Sequence, residues 1–169
     1  MIGPSSSHTA GALRIAKIAK KIFNENITWA RIHLYESFAK TFKGHGTDLA
    51  LVGGLLGFDT DDKRINQSLK LAKNQGISIT FLEDTGSVDH PNTVRILIGN
   101  ETNDLEVVGI SIGGGKVEIK ELNGFILRLS GNHPAILIMH NDHAGAIASV
   151  TKILAKHQIN IGHMEVNRK

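Results

Sequence analysis

Apolar and polar positions near the start of the chain repeat at helical spacing. The apolar ones recur three or four residues apart, at Ala12, Ile15, Ala16, Ala19, Ile22 and Phe23, and basic residues fill the opposite face. This spacing predicts an amphipathic helix that covers a core. Residues 27–37 alternate instead, with Ala30, Ile32 and Leu34 on one side. Such alternation predicts a half-buried strand.

Two more helices are predicted in the first half of the chain. Residues 44–58, GHGTDLALVGGLLGF, read as a glycine-flanked loop that leads into a helix, and residues 61–76 read as a helix that ends at a glycine. Gly53, Gly54 and Gly57 would each weaken the earlier helix by about 1 kcal/mol relative to alanine. We therefore expect another element to pack closely against these glycines.

Strand-like segments dominate the chain after residue 77. They are ISITFLE, TVRILIG, LEVVGISIGGG, KVEIKEL and FILRLSG. Asn123-Gly124, between the last two, is a strong signal for a two-residue hairpin turn. Because the helices come first and the antiparallel strands later, residues 1–131 are predicted to form an α+β domain with helices packed on a mainly antiparallel sheet.

The pattern changes after the short linker GNHP. Residues 132–169 read as a strand (AILIMH), a helix (IASVTKILAKHQ) and a second strand (INIGHMEV). A βαβ unit on its own leaves sheet edges and one sheet face uncovered. We therefore expect this second domain to be truncated here or to be completed by another chain.

Composition excludes several classes of function. The chain has 169 residues, of which 41% are hydrophobic and 21% charged, and its formal charge is +3. Apolar runs are too short to span a membrane and the basic residues are dispersed, so we expect a cytoplasmic protein that binds neither membrane nor nucleic acid. It contains no cysteine, which excludes disulfides and thiolate-held metal sites in this chain.

Three serines, a histidine and a threonine stand directly before the first helix, at Ser5, Ser6, Ser7, His8 and Thr9. A helix start carries unpaired N–H groups and a partial positive charge, so it attracts anions. The hydroxyls would add donors for a carboxylate or phosphate, and the imidazole would add a titratable group. The alternative is that one serine caps the helix and the rest are solvated, and composition leaves both interpretations open.

Two other loops carry a histidine among polar or small residues. His45 lies between two glycines in GHGTD, where a ligand could approach closely, and Asp48 could orient the imidazole as a general base. His90 precedes Pro91 and Asn92 in DHPNT. Taken alone, each is more often an ordinary turn. The three glycines of SIGGGK read as a bulge or sharp bend, because no helix follows them. Convergence of the three histidine loops on one pocket is a hypothesis.

Several of these motifs together resemble the beta subunit of bacterial iron–sulfur-dependent L-serine dehydratase. They are MIGPSSSHTAGA, GHGTD followed by LVGGLLGFDTDD, HPNT and GISIGGG, in the family's order. The residues after 132 resemble the first half of an ACT domain, with Asp142-His143-Ala144-Gly145 at its usual turn. Family members carry residues before GPSSSHT and a complete ACT domain, so we expect this chain to be trimmed at both ends.

The resemblance implies a subunit of an L-serine ammonia-lyase, which converts L-serine to pyruvate and ammonia without pyridoxal phosphate. It implies a [4Fe–4S] cluster held by cysteines of a separate alpha subunit, where it binds the substrate hydroxyl as a Lewis acid. The zero cysteine count agrees with that partition, so no metal site is expected in this chain and no activity without the alpha subunit. Homodimer contacts through the ACT domain are also implied.

Roles for individual residues follow from the same resemblance. It implies that the substrate carboxylate is held by Ser5, Ser6, Ser7 and Thr9. His90 and Asn92 would orient the substrate or the facing subunit. We prefer His45 as the base because Asp48 is close in sequence, with His8 as the alternative.

A second family offers a different class of function. The same α+β pattern resembles a regulatory module of some phosphoglycerate dehydrogenases, in which an equivalent pocket senses an anionic effector. A cysteine-bearing partner would favour the lyase, and a nicotinamide-binding domain on the same polypeptide would favour the regulatory module. A dimerising scaffold without chemistry is the third possibility.

Overall fold

The computed structural model describes residues 6–168, so Ser5, one of the predicted carboxylate ligands, lies outside the described residues. The chain forms two compact units, which meet in sequence between His133 and Pro134. This division falls within the predicted linker, GNHP. None of the described helices is long and apolar enough to cross a membrane.

The first unit contains four α-helices and six strands among its described residues. They are α1 (Ala12–Phe23), β1 (Trp29–Tyr35), α2 (Glu36–His45), α3 (Thr47–Leu55), α4 (Ser68–Asn74), β2 (Ser78–Asp84), β3 (Thr93–Gly99), β4 (Asp104–Gly113), β5 (Lys116–Leu122) and β6 (Phe125–Leu129). A π-helical turn, Ser7–Gly11, precedes α1, and a 3-10 turn, Lys63–Gln67, precedes α4.

The six strands form one mixed sheet in the order β2-β1-β3-β4-β5-β6. Only β1 and β2 are parallel, because the helices between them carry the chain back across the sheet, and the remaining pairs are antiparallel. Asn123 and Gly124 join β5 to β6 with φ values of 48° and 74°. The predicted α+β fold, the mainly antiparallel sheet and this hairpin are confirmed.

Helices α1 and α3 pack on the sheet and enclose the core with it. A Cβ added at Gly54 of α3 would lie 2.3 Å from the backbone oxygen of Leu13 and 2.7 Å from the Cβ of Ala16. The two helices can approach this closely only because position 54 has no side chain. The expectation that an element packs against the glycines of this helix is confirmed at Gly54.

Two helix predictions are wrong in detail. Residues 36–45 form α2, so the predicted loop around GHGTD shrinks to Gly46, which adopts a left-handed φ of 71°. Phe38 and Phe42 are both buried, and their spacing anchors this helix to the core despite Gly44. The helix predicted over residues 61–76 is interrupted, because its first half forms the 3-10 turn instead.

The second unit departs further from prediction. Its described residues contain one helix, α5 (Ala146–Lys156), and no assigned strand. The predicted strands AILIMH and INIGHMEV are therefore not formed, and the half ACT domain is not confirmed. In a split βαβ arrangement the two strands are separated by a third. Without that neighbour their backbone N–H and C=O groups have no strand partner.

Candidate functional site

From Ser7 onward, the serine-rich stretch forms the first turn of a helix rather than a loop ahead of one. Gly11 N–H donates to the carbonyl of Ser6, five residues back, at 3.0 Å, and the π-helical turn runs directly into α1. A Cβ at Gly11 would lie 2.0 Å from Ser111 Oγ on β4, so glycine is needed for this contact with the sheet. Single π-helical turns inside helices occur frequently at functional sites.

Two of the predicted histidines meet at this turn. The rings of His8 and His45 lie edge to face, with centroids 4.9 Å apart. His8 also contacts the ring of Phe38 edge-on at 5.3 Å, and its Nε2 lies 3.1 Å from Ser37 Oγ. His45, at the C-terminal end of α2, therefore contacts His8 of the π-helical turn.

The environment of His8 favours its neutral form. Burial lowers the pKa of His8 below its ordinary value of 6.5, and the charge on His45 lowers it further. An imidazole that stays neutral near pH 7 can accept a proton. The pair is therefore suited to proton transfer.

The third histidine loop joins the same cluster through backbone contacts. Ser37 N–H donates to the carbonyl of Pro91, and Ser111 N–H donates to the carbonyl of Asn92, both at 3.0 Å. His90 Nδ1 accepts the N–H of Asn92 at 3.1 Å, so this ring shapes its own loop. The start of β3, the start of α2 and the end of β4 are thus held together.

Buried polar atoms without a partner concentrate in these motifs. Among the described residues they are His45 Nδ1, Thr47 Oγ1, Asn92 Oδ1, Arg95 Nε and Ser111 Oγ. Four of the five belong to GHGTD, HPNT and GISIGGG. Buried polar groups in proteins almost always have a hydrogen-bond partner. Their grouping in these motifs makes this part of the chain the candidate site for a polar ligand.

The other predicted ligands occupy the helical turn or its surroundings. Ser6 and Ser7 are half-buried, and Thr9 is buried. Three glycines, Gly113–Gly115, all have positive φ and form the predicted sharp bend. A Cβ at Gly113 would lie 3.9 Å from Ser7 Oγ, so this bend adjoins the serine turn.

Asp48 is not hydrogen-bonded to His45. Its Oδ1 accepts the backbone N–H of Leu49 at 2.8 Å, and burial raises the pKa of this carboxyl. The side chain lines an open cavity together with Phe42, Lys43 and Phe81. Its role in orienting the imidazole stays a prediction.

Sequence reasoning missed two residues that join the cluster. Ser37 stands at the end of a predicted strand, where no pattern distinguishes its hydroxyl from that of a surface serine. Ser111 belongs to GISIGGG, which contributes to the family resemblance and predicts a bend, but the sequence predicts no role for Ser111 itself. Its complete burial next to Gly11 depends on long-range packing between β4 and the π-helical turn.

The residues of this chain do not fit an iron–sulfur cluster. The sequence has no cysteine, and no group of three potential metal ligands occurs among residues 6–168. Clusters of this kind are held by thiolates. Any such group would have to be held by residues outside this sequence.

Comparison with known proteins defines the class. The model of the serine dehydratase beta chain family matches residues 1–122, and this chain belongs to that family. It is 57% identical over 169 residues to the probable L-serine dehydratase beta chain of Bacillus subtilis, covering 100% of this chain and 77% of that protein. It is 42% identical over 170 residues to the L-serine dehydratase beta chain of Peptoniphilus asaccharolyticus, covering 99% and 77%.

A more distant similarity leads to another enzyme. The chain is 28% identical over 99 residues to the D-3-phosphoglycerate dehydrogenase of Bacillus subtilis, which covers 59% of this chain and 19% of that protein. The identity and coverage are both well below those of the two beta chains. The serine dehydratase family therefore accounts for more of the chain.

Proposed function

We propose that this chain is the beta subunit of an L-serine ammonia-lyase, which converts L-serine to pyruvate and ammonia. The observation that carries the proposal is the His8–His45 pair, with centroids 4.9 Å apart, among buried polar atoms that lack partners. Membership of the serine dehydratase beta chain family supports it. The pair offers proton transfer and the unpaired atoms offer hydrogen bonds to a small polar substrate.

The proposal divides the reaction between two chains. Because this chain has no cysteine, the [4Fe–4S] cluster of the enzyme is assigned to a separate alpha subunit. No pyridoxal phosphate is required. The part of this chain is to bind L-serine and to transfer a proton, and it has no activity without the alpha subunit.

Substrate binding is assigned to the helical turn and the Asn92 loop. Ser6, Ser7 and Thr9, together with Ser5 outside the described residues, would hold the substrate carboxylate, since a helix start attracts anions. Asn92 uses its amide nitrogen on the carbonyl of Ser111, at 3.4 Å. Its Oδ1 is left as an acceptor, which suits the α-ammonium group of the substrate.

Removal of the α-proton is assigned to His45, with His8 as the alternative. His45 Nδ1 is buried and has no hydrogen-bond partner among the described residues, so it is the atom proposed to take the proton. The electron pair of the broken Cα–H bond forms the Cα–Cβ double bond as the β-hydroxyl leaves. The resulting aminoacrylate hydrolyses to pyruvate and ammonia. His90 would act by holding Asn92 in place, and Asp48 by orienting His45.

Contacts between copies of the chain are assigned to the second unit. Its exposed apolar side chains are Ile136, Leu137, Ile138, Met139, Ile147, Ile153, Ile159, Ile161, Met164 and Val166. Large groups of exposed apolar side chains typically mark interaction sites. This supports a homodimer formed through the region that resembles an ACT domain.

An anion-sensing regulatory module is the second candidate. It is favoured by the similarity to D-3-phosphoglycerate dehydrogenase and by the serine-rich helix start. In this function the same turn would bind an anionic effector and the histidines would only tune its affinity. No turnover of L-serine would then be expected with any partner.

Anaerobic co-expression with a candidate alpha subunit tests the proposal. Pyruvate formation from L-serine is measured for wild type, His45→Ala and His8→Ala, and iron content is measured in each complex. Loss of a general base lowers kcat by about 100-fold or more, and His45→Ala is expected to show this with iron content unchanged. His140→Ala, which changes an exposed histidine of the second unit, is the control.

The outcomes separate the assignments. Loss of turnover in His8→Ala alone would exchange the roles of the two histidines. If no alpha subunit gives activity with the wild-type chain, the lyase assignment is wrong and the effector module becomes the better account. Binding of 3-phosphoglycerate or phosphoserine at the serine turn would then support that account.

A further inference from the structure

Ser37 connects three segments of the site. Its Oγ lies 3.1 Å from His8 Nε2 in the π-helical turn, and its backbone N–H donates to Pro91 at 3.0 Å. Its carbonyl accepts the hydroxyl of Thr41, one turn later in α2, at 2.7 Å. The backbone N–H and C=O of Ser37 are therefore both held by hydrogen bonds, and its hydroxyl contacts the His8 ring.

An unusual backbone conformation places Ser37 there. Glu36, the first residue of α2 directly after β1, has a φ of 40°, in the left-handed region that favours glycine. Non-glycine residues rarely adopt this conformation and it costs about 1–2 kcal/mol. It turns the chain from the strand directly into the helix without a loop. Strain of this kind persists where the surrounding structure holds it and is concentrated at functional sites.

Two other side chains of α2 pack against the His8 ring. Phe38 is fully buried and contacts the ring edge-on at 5.3 Å, and His45 contacts it at 4.9 Å. These two aromatic contacts restrict where the ring can lie. The hydroxyl of Ser37 contacts one of its nitrogens, so it also restricts how the ring is turned.

We propose that Ser37 is a positioning residue that holds the His8 imidazole against His45 through both protonation states of His8. A serine hydroxyl can donate to a neutral Nε2 and can accept from a protonated Nε2–H. A backbone carbonyl could only accept, and a carboxylate would favour the charged ring. With a hydroxyl as its partner, the His8 ring can therefore gain or lose a proton and keep the same position. This inference rests on the proposed function of the pair in proton transfer.

The contact is tested first in the isolated beta chain, by ¹⁵N NMR of the histidine rings over a pH series. Ser37→Ala is expected to change the Nε2 shift of His8 and to broaden its ring signals. Ser37→Thr keeps a hydroxyl and is expected to retain the wild-type signals. Thr41→Val is the matched control, because it removes a hydroxyl that bonds to Ser37 but not to His8. Circular dichroism confirms that each variant is folded.

The role is tested next in the complex with the alpha subunit. A small misplacement of a reacting group can cost up to about 100-fold in rate, and Ser37→Ala is expected to lower kcat about tenfold while KM stays within about twofold. Ser37→Thr should recover most of kcat, and Thr41→Val should resemble wild type.

Each outcome points to one conclusion. An unchanged His8 spectrum in Ser37→Ala overturns the Ser37–His8 contact. A changed spectrum with kcat within about twofold of wild type overturns the positioning role, since misplacement should cost more than that. A wild-type complex that is inactive overturns the lyase assignment instead, and the NMR result then shows separately whether the contact exists.

Discussion

The two units of the chain carry similar apolar patterns but bury them differently. Ile96 in β3 is fully buried and sits in a strand with neighbours on both sides. Ile138, in a segment that the sequence predicts equally well as a strand, is 47% exposed. Periodicity therefore predicts which side chains could face a core. Whether they do depends on neighbours that a local pattern does not contain.

The helices of the two units differ in the same way. In α1 half of the side chains are buried, including Leu13, Ile15 and Ala16, because the sheet and α3 cover its apolar face. In α5 none is buried, although its apolar positions are similarly spaced. Helices of this length are marginal in water without tertiary packing. The first unit supplies that packing within itself.

The largest expected effect comes from removing the same side chain in each unit. Ile96→Ala leaves a cavity in the core, and such substitutions typically lower the free energy of unfolding by about 2–5 kcal/mol. Ile138→Ala removes a side chain that is 47% exposed, and we expect a change within about 0.5 kcal/mol. Urea denaturation followed by circular dichroism measures both.

Equal losses in the free energy of unfolding for Ile96→Ala and Ile138→Ala would contradict the difference between the two units. A loss of about 2 kcal/mol or more for Ile138→Ala at low protein concentration would show that the second unit has a closed core. A loss that grows with protein concentration would indicate instead that Ile138 is covered by a second copy of the chain.

A smaller effect is expected from two helical glycines. A Cβ at Gly54 would lie 2.3 Å from the backbone oxygen of Leu13, whereas nothing lies within 4 Å of a Cβ at Gly44. Overpacking usually costs about 1–3 kcal/mol, so Gly54→Ala is expected to lower the free energy of unfolding by this amount. Gly44→Ala should raise it by about 0.5 kcal/mol through helix propensity. Thermal or urea unfolding compares the two.

A neutral or stabilising Gly54→Ala variant would contradict the close approach of α1 and α3. Both substitutions add the same methyl group within a helix, so their difference isolates packing from propensity. This difference therefore tests the close packing of α1 against α3, which helps to close the core of the first unit.

The sequence predicts much of the first unit because its signals are local. The periodicity of α1, the alternation of β1 and the Asn123-Gly124 turn all act within a few residues, and each is confirmed. The sequence does not predict helix α2, because Gly44 and Gly46 favour a loop. Burial of two phenylalanines against the core outweighs that preference.

The candidate site was predictable in its residue types but not in its contacts. The hydroxyls and histidines stand out from the sequence, and two of the three histidine loops meet directly. The contact of Ser37 with His8 spans 29 positions and depends on the left-handed Glu36. No local pattern predicts such a contact, because it arises only when the sheet and the helices pack together.

The smallest expected effect concerns the pH dependence of stability. Because burial and the His45 charge lower the pKa of His8 in the folded chain, the unfolded chain takes up the proton first as the pH falls below about 6.5. The free energy of unfolding should therefore decrease as the pH falls from 7.5 through this range, and level off once His8 is also protonated in the folded state. Urea denaturation at a series of pH values measures this slope.

Two variants show whether the slope comes from His8 of the first unit. His8→Asn removes the perturbed group, and we expect a shallower decrease than in wild type between pH 7.5 and the folded pKa of His8. His140→Asn also removes one histidine, from an exposed position in the second unit, and is the control. Equal slopes in wild type and His8→Asn would contradict the lowered pKa. They would show that the acid sensitivity of the chain does not come from His8, because a group whose pKa is the same in both states contributes no slope.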